Sequence, residues 1–161
     1  MTTIHHIPTK GELRQMLTML YGDQLELDAG KPVAADNGSK SVVAVYVNDE
    51  DAPVTACVCD HSFAAFAGSA LTKIPRGGAE DAAKTGDFSD MMLGNLREVM
   101  NICSRLFMYN TSPHLRLDQV YASPDTVPEA VRTMLGASKG RGDFSVSIPG
   151  YGAGAVSFLS T

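Results

Sequence analysis

Gly94-Asn95-Leu96-Arg97-Glu98-Val99-Met100-Asn101 lies within the strongest helical pattern of this chain, a run from about Ser89 to Tyr109. At about 100° per residue, Met92, Leu96, Val99, Cys103, Leu106 and Phe107 share one side and form an apolar stripe. Gly94, Glu98, Asn101 and Arg105 fall within roughly 60° of one another on the opposite side. The spacing predicts a long amphipathic helix that seats its stripe on a core and presents Glu98 and Asn101 outward together. Gly94 costs helix stability, up to ~1 kcal/mol against alanine, and leaves room for another backbone beside Glu98. By spacing alone, a solvated helix face is the simpler account of Glu98 and Asn101. Plain tolerance, or the close packing of a neighbouring helix, is the simpler account of Gly94.

Outward from that helix, the chain alternates between clear patterns and breaks. Gly11 to Leu20 reads as a helix with Leu13, Met16, Leu17 and Leu20 inward, Thr9 as N-cap and Glu12 completing a capping box. Gly22 ends it, and Gln24 to Leu27 is a short strand before the break at Gly30 and Pro32. Ser41 to Val47 and Val54 to Cys59 form an antiparallel hairpin across a turn at Asn48–Pro53. A helix capped by Asp60 or Ser62 runs to about Lys73. Ile74 to Asp87, rich in glycine, proline and charge, reads as a surface connection. Beyond the long helix, Leu115 to Ala122 is a strand, and Val127 to Leu135 a helix with Pro128 in its first turn. Ser138 to Gly142 reads as a flexible turn. Phe144 to Ile148 and Ala155 to Leu159 close the chain as a hairpin around Gly150-Tyr151-Gly152. The sum is an α+β fold with helices packed on a mainly antiparallel sheet, in one domain spanning residues 1–161.

Composition excludes several classes. The chain is 44% hydrophobic and 19% charged, ordinary for a globular protein. A formal charge of −5 argues against a nucleic-acid partner, which wants a basic face. No run of 18 apolar residues exists, so no membrane insertion is expected, and Met1 to Lys10 has no apolar signal core. His5-His6 is too short for a metal site and reads as part of a loose end. Cys57 and Cys59 alternate onto one face of a strand, and with Cys103 they make an odd count. Reduced, buried thiols in a cytoplasmic protein fit that pattern better than zinc ligation. The glycines at 150, 152 and 154 lie between two strands, where a phosphate loop would need a helix. Arg141-Gly142-Asp143 spells a cell-adhesion tripeptide by chance. His61 and His114 are isolated, with no triad or metal motif around them.

Glu98, Asn101 and Pro124 carry the functional signal. Two residues separate the first pair and 22 separate the second. That register resembles the signature of the CheC/CheX/FliY phosphatases of bacterial chemotaxis: Asp or Ser, three residues, Glu, two residues, Asn, 22 residues, Pro. Gly94 stands where that pattern has Asp or Ser. The Glu, Asn and Pro register arises by chance on the order of one per cent of the time. The order of elements is also similar to that of CheX-type members, which carry one such helix and form dimers. CheC-type members carry two.

The resemblance implies a CheX-like protein phosphatase that accelerates hydrolysis of the phospho-aspartate on a response-regulator receiver domain, in chemotaxis or other two-component signalling. It implies that Asn101 orients the attacking water and that Glu98 anchors to the receiver's active-site lysine. Gly94 and Arg105 would lie on the same partner face. The expected partners are a phosphorylated receiver and a second copy of the chain. No cofactor or metal of its own is expected, since Mg²⁺ belongs to the receiver substrate. A Glu-x-x-Asn pair offers no nucleophile, which excludes most self-contained hydrolases and suits a protein that completes another's active site. The alternative is a non-catalytic CheX-like adaptor that binds a receiver or a flagellar component. A third reading is an α+β domain unconnected with signalling.

Overall fold

The computed structural model describes residues 5–108 and 112–161. Six strands form one antiparallel sheet: β1 (Glu26–Ala29), β2 (Ser41–Val47), β3 (Pro53–Asp60), β4 (Arg116–Tyr121), β5 (Gly140–Ile148) and β6 (Gly152–Ser160), in the order β1-β5-β6-β3-β2-β4. Two tight hairpins, β2–β3 and β5–β6, meet along the central β3–β6 pair, where Cys57 faces Phe158. Exchanging β1, β2 and β3 for β4, β5 and β6 returns the same order, so the sheet has a topological twofold between β3 and β6. Helix α1 (Lys10–Tyr21) leads into β1 as helix α4 (Asp90–Cys103) leads into β4.

The strand alternation divides the core into two. Val42, Ala44 and Tyr46 of β2 and Cys57 and Cys59 of β3 point to one face, with Val156 and Phe158 of β6. That face is covered by α1, by α2 (His61–Ala70) and by α4. Val43, Val45, Ala56, Val58 and Leu159 point to the other, a smaller core under helix α5 (Glu129–Gly136) and the segment around Val33. The long apolar runs of β2 and β3 follow from this, because central strands covered on both faces need no polar side.

The end signals of α1 behave as the sequence requires. Thr9 and Glu12 form the reciprocal capping box, and Gly22 closes the helix at φ 99°. Asp60 caps α2 by accepting from the Phe63 amide at 2.8 Å. Helix α2 ends at Ala70, earlier than its pattern suggests, and Lys73 beyond it has a positive φ of 57°.

Three expectations are corrected. Ile74 to Asp87 is more than a surface connection, because Arg76–Thr85 is helix α3, closed by Gly86 at φ 77°. Its buried residues are Ala79 and Ala82, small enough to lie close against α2 and too weakly apolar to stand out from the surrounding glycines and charges. Residues 138–142 are no flexible turn: β5 begins at Gly140 and pairs there with Ser160. A Cβ at Gly142 would come within 2.9 Å of Ile7, so the glycines admit the N-terminal segment over this strand. That segment is in turn no loose end. His5 is 5% exposed and its amide donates to Ser160 Oγ, while His6 pairs with Glu12 at 2.8 Å.

The long helix is α only to Cys103, and continues as a 3₁₀ turn over Ser104–Phe107. Tyr109, the expected end, lies outside the described residues. Helices α2 and α4 cross closely at Gly68, where a Cβ would sit 2.7 Å from the Met92 carbonyl oxygen. Backbone meets backbone there, and no rotamer can relieve an added methyl. Gly68→Ala is therefore expected to cost about 1–3 kcal/mol, read as a lowered urea midpoint with unchanged slope. A wild-type midpoint would show that the two helices are not held at this distance.

Candidate functional site

Helix α4 owes its position to contacts along its whole length. Ser89 caps it by accepting from the Met92 amide at 3.2 Å, and Asp90 in the first turn suits the positive end of the helix. Met92, Leu96, Val99, Met100 and Cys103 are buried. Asn95 reaches sideways, its Nδ2 donating to the Gly68 carbonyl and to Thr72 Oγ1, both at 2.8 Å. On the other flank Arg97 Nη2 donates to the Asp118 carbonyl of β4 at 3.3 Å. The helix is thus tied to α2 on one side and to the edge strand on the other.

The C-terminal end of α4 is fixed from beneath. Tyr46 is fully buried in the sheet and its hydroxyl donates to the Met100 carbonyl at 2.6 Å. Burial pushes the Tyr46 hydroxyl pKa well up, so it stays protonated and available as a donor. One residue on, the Asn101 carbonyl accepts from the Ser104 amide and from Ser104 Oγ at 2.7 Å. The helix tightens from α to 3₁₀ at this point, and the tightening is held by these bonds. The backbone of Asn101 is therefore set by Ser104, and that of its neighbour Met100 by Tyr46.

On this frame Glu98 and Asn101 are both exposed. Three residues apart on a helix, their Cβ atoms lie about 5–6 Å from each other. Neither side chain has a hydrogen-bond or ion-pair partner among the described residues. A carboxylate and an amide stand together on a rigid support, free to engage something else. Gly94 is exposed one turn earlier, and a Cβ there would meet nothing within 4 Å. Beside it a shallow groove of about 200 Å³ runs between Leu93, Gly94, Arg97, Val120 and Ala122. Arg105 is exposed on the 3₁₀ turn.

Pro124 acquires a structural meaning from the same geometry. After α4 the chain returns as β4, which ends near the groove at Ala122. Pro124 is buried as the first residue of a 3₁₀ turn that follows, capped by Ser123 Oγ accepting from the Asp125 amide. The fixed distance from Asn101 to Pro124 is thus the length of this return path.

Met91 is a second exposed feature of this helix. Methionine is usually a core residue, yet Met91 is 61% exposed, in the first turn of α4. Helical spacing puts it on the Gly94–Glu98 side, about 60° from Gly94. Cys103, two residues past Asn101, is buried, and burial pushes its thiol pKa up to about 12. It is inert at neutral pH, as are the buried Cys57 and Cys59. The twofold counterpart of α4, helix α1, presents no such pair, since its Glu12 is consumed by the capping box and His6. Among the described residues no cluster of three or more His, Cys, Asp or Glu could hold a metal ion, and no helix is long and apolar enough to cross a membrane.

No protein-family model and no curated protein sequence matches this chain. Solved structures do. The FliM middle domain from H. pylori superposes with a TM-score of 0.56 at 13% identity, over 94% of this chain and 84% of that one. The FliG–FliM complex from H. pylori gives 0.58 at 14%, over 94% and 85%. FliY from Thermotoga maritima gives 0.51 at 15%, over 96% and 84%. The chain has the CheC-like fold. At these identities the likeness establishes architecture: an α+β layering with a six-stranded antiparallel sheet.

The two roles of α4's polar residues separate experimentally. Asn95→Ala breaks the hydrogen bonds to Gly68 of α2 and to Thr72 just beyond it, and is expected to destabilise the protein by about 1 kcal/mol or more. Glu98→Ala and Asn101→Ala, without partners, should stay within about 0.5 kcal/mol of wild type. Thermal melts of the three variants check this. A loss at Glu98 or Asn101 as large as at Asn95 would mean that they serve the fold.

Proposed function

We propose that this protein is a CheX-like phosphatase acting on the phospho-aspartate of a response-regulator receiver domain. The observation that carries the reading is the exposed, unpartnered Glu98–Asn101 pair on a helix of the CheC-like fold, with Pro124 in register. In this reading α4 lies across the receiver's phosphorylated site. Glu98 forms an ion pair with the receiver's active-site lysine before reaction. The Asn101 amide holds a water in line with the scissile bond. Attack by that water on phosphorus releases the aspartate carboxylate and inorganic phosphate, while the receiver's own Mg²⁺ balances charge on the phosphoryl oxygens. The gain comes from placing the water and excluding bulk solvent, not from acid–base strength. The Asn101 backbone is already held by Ser104, so binding has only its side-chain rotamers left to order, which suits a positioning role.

Gly94 supports a second reading, a non-catalytic adaptor, because the resembling pattern has Asp or Ser at that position. The likeness to FliM, which was solved in complex with FliG, supports it as well.

Turnover of a phosphorylated receiver from the same genome, with Mg²⁺ present, separates the two. Asn101→Ala is expected to abolish acceleration while leaving receiver binding largely intact, because the amide acts mainly in the transition state. Glu98→Ala is expected to weaken binding as well. Gly94→Ser fits without a clash and gains roughly 0.5 kcal/mol of helix propensity, so any change in rate reports on the docked face. If wild type binds the phosphorylated receiver and Asn101→Ala leaves its decay unchanged, the protein is an adaptor.

A further inference from the structure

A spacious cleft lies on the other face of the sheet from Glu98 and Asn101. It measures about 660 Å³, within the range of small-molecule sites, roughly 300–1,000 Å³. It opens where α5 and the segment around Val33 cover the second face of the sheet incompletely. Its apolar wall comes from Val33, Ala35, Leu135 and Leu159, and two guanidinium groups, Arg132 and Arg141, also line it.

Arg141 is held in place by groups that are themselves fixed. Its Nε donates to Asp143 Oδ1 at 2.8 Å, and its Nη2 donates to the Val33 carbonyl at 3.1 Å and to Ser157 Oγ at 3.3 Å. Ser157 is fully buried, donates to Asp143 Oδ1 at 2.6 Å and accepts from the Val33 amide at 3.0 Å. This network joins β5, β6 and the cleft's rim and fixes the guanidinium plane without using Nη1. Asp143 offsets the charge of Arg141. Arg132 is different: its Nη2 donates to the Asp125 carbonyl at 3.1 Å, and among the described residues it has no carboxylate partner. Asp36 also lines the rim, with its Oδ1 accepting from Ser39 at 2.9 Å. The cleft thus holds one guanidinium with no carboxylate in direct contact among the described residues, one preorganised guanidinium, a rim carboxylate at Asp36 and an apolar wall.

We propose that this cleft binds a small organic anion, a carboxylate or phosphate monoester carried on an apolar body. The anionic head sits between Arg132 and Nη1 of Arg141, and the body lies along Ala35, Leu135 and Leu159. Guanidinium groups favour such heads because their planar donors match two oxygens at once.

The test uses hexanoate, hexyl phosphate and hexanol at millimolar concentrations, titrated into the intact chain and followed by amide and side-chain chemical shifts. Both arginine side chains and the Leu135 and Leu159 methyls should shift saturably with at least one anion, and the tighter of the two identifies the head group. Hexanol should bind at least tenfold more weakly. Arg132→Ala should weaken the anion by about tenfold or more. Ala34→Glu, at an exposed rim position, should do the same by repulsion without touching the core. Absence of saturable shifts with both anions overturns the proposal. So does equal affinity for hexanol, or undiminished anion affinity in both folded variants.

Discussion

The contact between α2 and α4 at Gly68 sets the distance on which the rest of the molecule is arranged. At that point the Met92 carbonyl approaches too closely for any side chain, and the Gly68 carbonyl accepts from Asn95. Helix α4 cannot rise from the sheet without losing this contact, and cannot roll without breaking the Asn95 and Arg97 bonds on its two flanks. Tyr46 then fixes the height of its last turn through Met100. Each bond is modest alone, about 0.5–1.5 kcal/mol net. Together they remove the helix's freedom to turn, and so decide which residues face outward.

Rigidity of this kind is what a positioning site requires. On the proposed function Asn101 holds a water, a task that gains from a backbone fixed beforehand, and its carbonyl is engaged twice by Ser104. The twofold topology of the sheet provides two helices in equivalent places, yet only α4 leaves an acid and an amide free. On α1 the one comparable acid caps its own helix. The second face of the sheet follows different rules, with a thinner cover and a cleft whose polar groups are arginines.

Much of this was legible in the residues. The apolar stripe of α4 is long and regular, so period alone placed Glu98 and Asn101 outside, and β-branched runs with their turn residues marked β2 and β3. The capping residues Thr9, Glu12 and Asp60 act through neighbouring backbone and need no tertiary information. What escaped depends on distant partners. Helix α3 is held by alanines against α2, and alanine carries little periodic signal. Gly140 and Gly142 look like a turn until Ile7 is seen packed over them. The change to 3₁₀ geometry after Cys103 sits beside a buried tyrosine more than fifty residues away in sequence, which no local pattern encodes. Met91 is of a residue type that is usually core, and the roll of the helix puts it outside.

The central claim is that the outer face of α4 is the working surface. Its most direct test is to titrate a receiver activated with beryllofluoride and Mg²⁺ into the isotope-labelled protein and map the amide shifts. The account predicts that the largest changes fall between Met91 and Arg105, with smaller ones at Val120–Ala122 across the groove, and that they vanish with the unactivated receiver. Changes confined to α5 and the arginine-lined cleft, or the same response to activated and unactivated receiver, would contradict it.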